Sequence, residues 1–270
     1  MSKKIILLAG PTASGKSKLA IHLAKKINGE IINADSMQVY KEFSVLSSRP
    51  SKKEIKQANH HLYGLISVKK YFSAGDWLKE VKKKINLCIK KKKTPIVVGG
   101  TGLYFNTITK GISKIPSIDS KTRNKVRNLF KKLGFTKFYE ELIKLDPKVK
   151  DKILPMDSQR AQRAYEVKLK TRKSLFDWIK NTKSDFVDYD LKKIFLAIPR
   201  DVLLEKISKR TELMFTQECI DEVKKKAPLK GAKHEGKLNF QSRTNPYSVI
   251  NYVREIIKII KLIKKKTSSF

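Results

Sequence analysis

Three short stretches of this sequence have the residue types and spacing for chemistry. Gly10-Pro11-Thr12-Ala13-Ser14-Gly15-Lys16-Ser17 satisfies G-x-x-x-x-G-K-[ST] in full, the pattern of a phosphate-binding loop. Its glycines let the backbone turn N–H groups inward around phosphate oxygens, and the helix that follows adds its positive N-terminal end. Lys16 would bring a point charge to the terminal phosphate, and the Ser17 hydroxyl would ligate Mg²⁺. The loop reports phosphate chemistry without saying whose phosphate. The second stretch, Ala34-Asp35-Ser36-Met37-Gln38-Val39-Tyr40, places a carboxylate just past an apolar run. There Asp35 could be a general base, a Mg²⁺ ligand or a helix cap, and local grounds leave all three open. The third, Gly99-Gly100-Thr101-Gly102, is a flexible turn that aims one hydroxyl at the same crevice.

These residues need elements to carry them. Ile5-Ile6-Leu7-Leu8-Ala9 reads as a buried parallel strand ending at Gly10. Lys3-Lys4 before it mimics a signal peptide, but the run is short for an apolar region of about 7–15 residues and no small-residue cleavage site follows. Leu19, Ala20, Leu23, Ala24 and Ile27 mark an amphipathic helix after the loop. Strands at Glu30–Asn33 and Thr94–Val98 and a long helix over Ala74–Lys92 complete a βαβα order, which implies a parallel sheet covered by helices. From about Ile115 to Tyr189 the strands give way to helical spacing (Val126, Leu129, Phe130, Leu133; Phe138, Leu142, Ile143, Leu145), broken at Pro116, Gly134, Pro147 and Pro155. A strand then returns at Ile194–Ile198, followed by a helix over Val202–Lys225. The expected organisation is a catalytic core of residues 1–114 and 190–226, a helical insertion of 115–189 and a basic tail of 227–270.

Composition narrows the classes. With 270 residues and 40% hydrophobic content the chain can build one or two real cores. Two cysteines, Cys88 and Cys219, exclude a disulfide scaffold and fit a reducing, cytoplasmic compartment. They lack a C-x-x-C partner, and the adjacent His60 and His61 would point to opposite faces of a strand, so a structural role is expected for both histidines. No stretch approaches the roughly 20 apolar residues of a membrane span. The net charge of +36 favours a polyanionic partner. Lysine dominates it and isoleucine and asparagine are plentiful, a pattern that A/T-rich codon usage also produces.

Taken together, Gly-Pro-Thr-Ala-Ser-Gly-Lys-Ser, Asn-Ala-Asp-Ser-Met-Gln-Val-Tyr and Val-Gly-Gly-Thr-Gly-Leu-Tyr resemble the tRNA dimethylallyltransferase family. His60-His61-Leu62, Phe72-Ser73-Ala74-Gly75-Asp76 and Asp157-Ser158-Gln159-Arg160-Ala161-Gln162-Arg163-Ala164 are similar to further family segments. The likeness runs from Lys4 to about Val223. It implies an α/β fold, a P-loop NTPase-like parallel sheet with flanking helices and an all-helical insertion domain. It also implies transfer of a dimethylallyl group from dimethylallyl diphosphate to the N6 amine of an adenine next to the anticodon, with release of pyrophosphate. Asp35 would be the general base, and the P-loop with Mg²⁺ on Ser17 would hold the diphosphate. Thr101 and Arg210 would contact the diphosphate or the reacting adenine. Asp35, Ser36, Met37, Gln38 and Thr101 would surround the flipped base, while Arg123, Gln159, Arg160, Ala161, Gln162 and Arg163 would hold the anticodon stem-loop. On sequence alone, Arg160 and Arg163 could equally form a solvated helix stripe.

Two departures stand out. Lys206 occupies the place of an earlier family arginine, keeping the charge but not the bidentate fork. After about Ala227 neither the family's Gly-Tyr-Lys-Glu segment nor its Arg-Gln-x-Thr-Trp-Phe-Arg helix occurs, and Val249–Lys266 reads instead as an amphipathic Ile/Lys helix. The competing functions are a P-loop small-molecule transferase (a kinase using ATP, or an adenylate prenyltransferase) and an inactive tRNA-binding relative. A monomer is expected.

Overall fold

In the computed structural model of the chain, residues 3–214 and 216–226 are described, so the expected helix over Val249–Lys266 lies outside them. The described residues divide into two compact units, the first drawn from Met1–Ile108 and Asp188–Phe270, the second Thr109–Val187.

The first unit is built on five strands: β1 (Lys4–Ala9), β2 (Gly29–Asn33), β3 (His60–His61), β4 (Thr94–Gly99) and β5 (Asp190–Phe195). They lie in the order β3-β2-β4-β1-β5, and every pairing is parallel. The central strands are buried along runs of consecutive residues, Ile5 to Leu8 in β1 and Pro95 to Gly99 in β4, as a parallel sheet covered on both faces requires. Four helices of this unit precede β5 in the chain: α1 (Lys16–Lys26), α2 (Lys52–Ile55), α3 (Ala74–Lys90) and α4 (Gly102–Thr109). Ala20, Ile21 and Ala24 of α1 pack with Ile6, Leu8, Ile31, Ile96 and Val98 of the strands. The amphipathic α3 buries Trp77, Leu78, Val81, Ile85 and Cys88, and it starts at a reciprocal cap between Ser73 and Asp76.

Register decides what meets at the end of the sheet. Ala9 pairs with Gly99, and Asn33 with Val98. The strands β2, β4 and β1 therefore finish at one level, side by side, with β4 in the middle. A Cβ on Gly99 would run into the Ala34 carbonyl, so glycine is required where the chain leaving β2 presses against β4.

The second unit contains α5 (Ser120–Leu145), α6 (Ser158–Thr171) and α7 (Leu175–Lys180). Gly134 interrupts α5 with φ 72° and ψ −172°, the break that the sequence places there. Val126, Phe138, Leu142, Val149, Ile153, Ala161 and Ala164 form its core. The unit begins at Thr109 and ends at Val187 rather than at the expected 115 and 189. Its two ends close on each other within the unit: Ser113 and Thr182 share a hydroxyl hydrogen bond of 2.6 Å, and a Cβ on Gly111, at φ 89°, would strike the Lys183 carbonyl.

Two expectations near the end of the first unit need correction. The last strand starts at Asp190, not Ile194, because β5 is an edge strand that leaves Lys192 and Lys193 exposed; only its inner side needs apolar residues. The helix expected over Val202–Lys225 is two helices, α8 (Arg200–Met214) and α9 (Gln217–Lys226). Thr216 separates them, its hydroxyl accepting the Cys219 N–H at 3.3 Å as an N-cap does.

Candidate active site

The loop between β1 and α1 folds closely on itself. A Cβ on Gly10 would sit 3.0 Å from the Ser14 hydroxyl and 3.1 Å from the Leu196 backbone oxygen. Gly15 caps α1 at φ 88°, in the left-handed region that glycine enters without strain. The Lys16 ammonium donates to the Pro11 carbonyl and, at 3.4 Å, to the Ser14 hydroxyl. Its burial lowers the Lys16 pKa; nearby Asp35 opposes that shift and nearby Arg210 adds to it. Ser14 is buried, Pro11 and Ala13 are half-buried, and Thr12 and Ser17 are exposed. Ser17 therefore offers an open hydroxyl in the first turn of α1, a hard oxygen donor suited to Mg²⁺.

Asp35 leaves β2 held on every backbone side. Its N–H donates to Asn33 Oδ1 at 2.8 Å, and Asn33 Nδ2 donates to the Asp35 carbonyl at 3.0 Å. One carboxylate oxygen, Oδ1, accepts the Met37 N–H at 2.9 Å. The other, Oδ2, faces the missing side chain of Gly100: a Cβ there would lie 3.8 Å from it and 3.5 Å from the Gly10 carbonyl. Gly100 thus keeps an opening between the carboxylate and the phosphate loop. Thr101 is anchored to the same corner, its hydroxyl accepting the Ser36 N–H at 2.9 Å and donating to Ser36 Oγ at 3.3 Å. Gln38 braces a neighbouring turn, its amide donating to the Ser47 and Ser48 carbonyls at 2.9 and 2.8 Å. Met37 is half-buried and Ser36 buried.

Asn33, the first residue of the Asn-Ala-Asp-Ser segment, is a positioning residue to which the motif alone assigns no role. It is fully buried, its amide also donates to the Leu62 carbonyl at 3.2 Å, and its own carbonyl accepts the Trp77 indole N–H at 2.9 Å. Its signal in the sequence is only an amide two residues before the aspartate, at the end of an apolar strand.

Arg210, on α8, is half-buried and acts on Lys16 together with Asp35. Lys16, Asp35, Ser36, Thr101 and Arg210 therefore belong to one corner of the first unit. Met37 and Gln38 lie in the same unit, whereas Arg123 and the Gln159–Arg163 run are in the second unit. The Arg123 Nε is buried without a hydrogen-bond partner among the described residues. On α6, Arg160 is largely exposed and Arg163 partly so, each in a long 3.4 Å ion pair, with Asp157 and Glu166 respectively. Pairs of that kind contribute little and leave the guanidinium free to exchange partners. Gln159 and Gln162 are half-buried, but Ala161 is only 2% exposed, in the unit's core. Its side chain supports α6 from within and is not presented to a ligand, unlike the arginines beside it.

On β3, paired with Ile31 and Ile32 of β2, the histidines have structural partners. His60 Nδ1 lies 2.8 Å from the Ala58 carbonyl, and His61 Nε2 lies 2.6 Å from Glu30 Oε2. Glu30 also accepts from Asn59 at 3.0 Å and from the Cys88 thiol at 3.6 Å. Burial opposes ionisation of Glu30, but the hydrogen bonds from His61 and Asn59 prevail and hold its pKa below the ordinary value. Burial and the Glu30 carboxylate push the Cys88 thiol up to about 12.

The IPP transferase family model matches residues 38–268. The chain is 55% identical over 227 residues to the tRNA dimethylallyltransferase of Pelagibacter ubique (strain HTCC1062), covering 84% of this chain and 72% of that protein. It is 43% identical over 222 residues to the tRNA dimethylallyltransferase of Rickettsia massiliae (strain Mtu5), covering 82% of this chain and 61% of that protein. Among solved structures it is similar to a eukaryotic dimethylallyltransferase acting on tRNA, with a TM-score of 0.76 and 26% identity over 98% of this chain and 68% of that one. It is also similar to the full-length tRNA isopentenylpyrophosphate transferase of Bacillus halodurans, with a TM-score of 0.57 and 26% identity over 96% of this chain and 87% of that one.

Proposed function

The chain belongs to the IPP transferase family, and from that premise we propose that it transfers a dimethylallyl group from dimethylallyl diphosphate to the N6 amine of an adenine next to the anticodon in tRNA, releasing pyrophosphate. The observation that carries this proposal is the approach of the Asp35 carboxylate to the phosphate loop across Gly100, where an added Cβ would lie 3.8 Å from Asp35 Oδ2 and 3.5 Å from the Gly10 carbonyl, with Arg210 near Lys16 of that loop. A proton acceptor, a phosphate-binding loop and an arginine thereby share one crevice at the C-terminal ends of parallel strands, where open α/β sheets bind ligands.

The reaction makes two demands. The amine must lose a proton as its nitrogen bonds the allylic carbon, and the carbon–oxygen bond to the diphosphate must break with the electron pair leaving on oxygen. Asp35 Oδ2, on the open side toward Gly100, takes the proton. Met37 N–H holds the other oxygen and fixes the carboxylate plane. The loop N–H groups, Lys16 and Arg210 meet the charge that grows on the departing diphosphate. Lys16 donates to the loop carbonyl of Pro11, which keeps its ammonium at the loop that would hold the diphosphate. Ser17 would hold Mg²⁺, which supplies further charge neutralisation on the pyrophosphate.

An adenine must leave its stack to reach Asp35. Ser36, Met37 and Gln38 follow directly on the base and form the wall that the flipped ring would meet. Arg123, Arg160 and Arg163 supply phosphate contacts for the stem-loop. No helix among the described residues is long and apolar enough to cross a membrane, and the cytoplasm is where the tRNA substrate is found.

Incubation with radiolabelled dimethylallyl diphosphate and either tRNA or AMP tests this function. Label in tRNA, recovered as prenylated adenosine, is the expected result. Label in AMP alone would make the protein a small-molecule transferase, and binding of the anticodon stem-loop without any label transfer would make it an inactive relative.

A further inference from the structure

The helix that carries Arg210 has no buried residue. Leu204 and Leu213 on it are 54% and 79% exposed. Helices are ordinarily fixed in place by burying an apolar face, so among the described residues α8 needs another means of holding a guanidinium toward Lys16.

That means lies one helix further on. The Glu222 carboxylate, on α9, receives four hydrogen bonds from a single turn. Its Oε1 accepts the Ser44 N–H at 2.5 Å, the Ser44 hydroxyl at 2.7 Å and the Val45 N–H at 3.1 Å, and its Oε2 accepts the Leu46 N–H at 3.0 Å. Three successive backbone N–H groups converging on one anion form a nest, and hydrogen bonds to an ionised acceptor are about twice as strong as neutral ones. A second contact from the same turn, Ser48 Oγ to Met214 Sδ at 3.4 Å, reaches the end of α8 itself. The turn belongs to the acceptor side of the site, because Gln38 braces it through the Ser47 and Ser48 carbonyls.

We propose that Glu222 is a positioning residue that latches α8–α9 onto the Ser44–Leu46 turn and thereby holds Arg210 at the phosphate loop, tying the diphosphate side of the site to the Asp35–Gln38 side. The carboxylate is occupied by the turn and acts only through Arg210. The proposal rests on the assignment of Arg210 to the diphosphate, so its test separates the two.

In the full chain, Glu222→Ala, the isosteric Glu222→Gln, Arg210→Ala and the double variant Glu222→Ala/Arg210→Ala are compared. Readouts are kcat/KM for dimethylallyl diphosphate, tRNA affinity, and amide exchange at Ser44, Val45 and Leu46. Glu222→Ala should lower kcat/KM by about 10- to 100-fold, the scale of a misplacement of about 1 Å. Glu222→Gln should fall between it and the wild type, tRNA affinity should stay within about twofold, and the three amides should exchange faster. If Glu222 acts through Arg210, the double variant loses no more than Arg210→Ala alone. Losses that multiply would overturn the latch and leave Glu222 with a general structural role. So would full activity of Glu222→Ala beside an impaired Arg210→Ala. A fully active Arg210→Ala would instead remove the role of Arg210 in the reaction, and unchanged exchange of the three amides in Glu222→Ala would then dispose of the latch by itself.

Discussion

Asn33 holds Asp35 by two hydrogen bonds at once: its Oδ1 accepts the Asp35 N–H at 2.8 Å and its Nδ2 donates to the Asp35 carbonyl at 3.0 Å. A fully buried amide therefore sets the backbone from which the carboxylate projects, and Trp77 holds the backbone carbonyl of Asn33. Asn33→Ala should lower kcat by about 10- to 100-fold through misplacement of the base. Binding of tRNA and of dimethylallyl diphosphate should change little. Single-turnover kinetics beside equilibrium binding measures the split, and an unchanged kcat would show that Met37 alone is enough to hold Asp35.

Asp35 itself can be tested more bluntly. Asp35→Ala should reduce turnover by about 10²- to 10⁴-fold, the usual contribution of a general base, with tRNA affinity nearly unchanged. A variant that retains wild-type turnover would remove Asp35 as the proton acceptor.

Lys16 ties diphosphate binding to pH. Burial lowers its pKa from the ordinary 10.5, whereas a bound anion favours the charged form and raises it again. Where the diphosphate is fully ionised, affinity for dimethylallyl diphosphate should therefore be flat below the lowered pKa of the free protein and fall as pH rises through it. Titrations over a pH series, with binding heats compared in buffers of different ionisation enthalpy, should show proton uptake on that alkaline side. In Lys16→Arg the fall should vanish, because a guanidinium stays protonated throughout.

Glu30 gives an acid-stability prediction with a definite sign. Its folded pKa lies below the ordinary 4.5, so its contribution is present above that value and is lost as pH falls through the folded pKa. The melting-temperature advantage of wild type over Glu30→Gln should be full near neutrality and shrink in acid. An advantage that grows on acidification would mean that the His61 and Asn59 bonds do not favour the ionised carboxylate.

Arg160 separates RNA contact from a solvated stripe. It is 74% exposed, with only a 3.4 Å pair to Asp157. Arg160→Ala should weaken tRNA binding and reduce the salt dependence of the affinity by about one phosphate contact, leaving dimethylallyl diphosphate binding unchanged. An unaltered salt slope would place this arginine outside the interface.

Much of this protein was legible in one dimension because its chemistry is carried by contiguous segments. A phosphate loop between an apolar strand and an amphipathic helix needs no distant partner to be recognised, and the helical spacing of the insertion, with its break at Gly134, follows from local periodicity. Edges and ends were harder. The start of β5 could not be placed from apolar runs because an edge strand tolerates Lys192 and Lys193 on its surface, and one expected helix is two, the second capped by the Thr216 hydroxyl.

The sequence by itself therefore determined the kind of chemistry, since Gly10–Ser17, Asp35 and Thr101 declare it by type and spacing. Only the tertiary structure decided which groups act together. The register that pairs Ala9 with Gly99 and Asn33 with Val98 aligns three strand ends, and that alignment depends on pairing between residues far apart in the chain. The same is true of the contacts that Asn33 makes with Leu62 and Trp77, the opening at Gly100 and the grip of Glu222 on the Ser44–Leu46 turn. Each is a hydrogen bond or a close approach between segments, whose partners are fixed by packing and not by their neighbours in sequence.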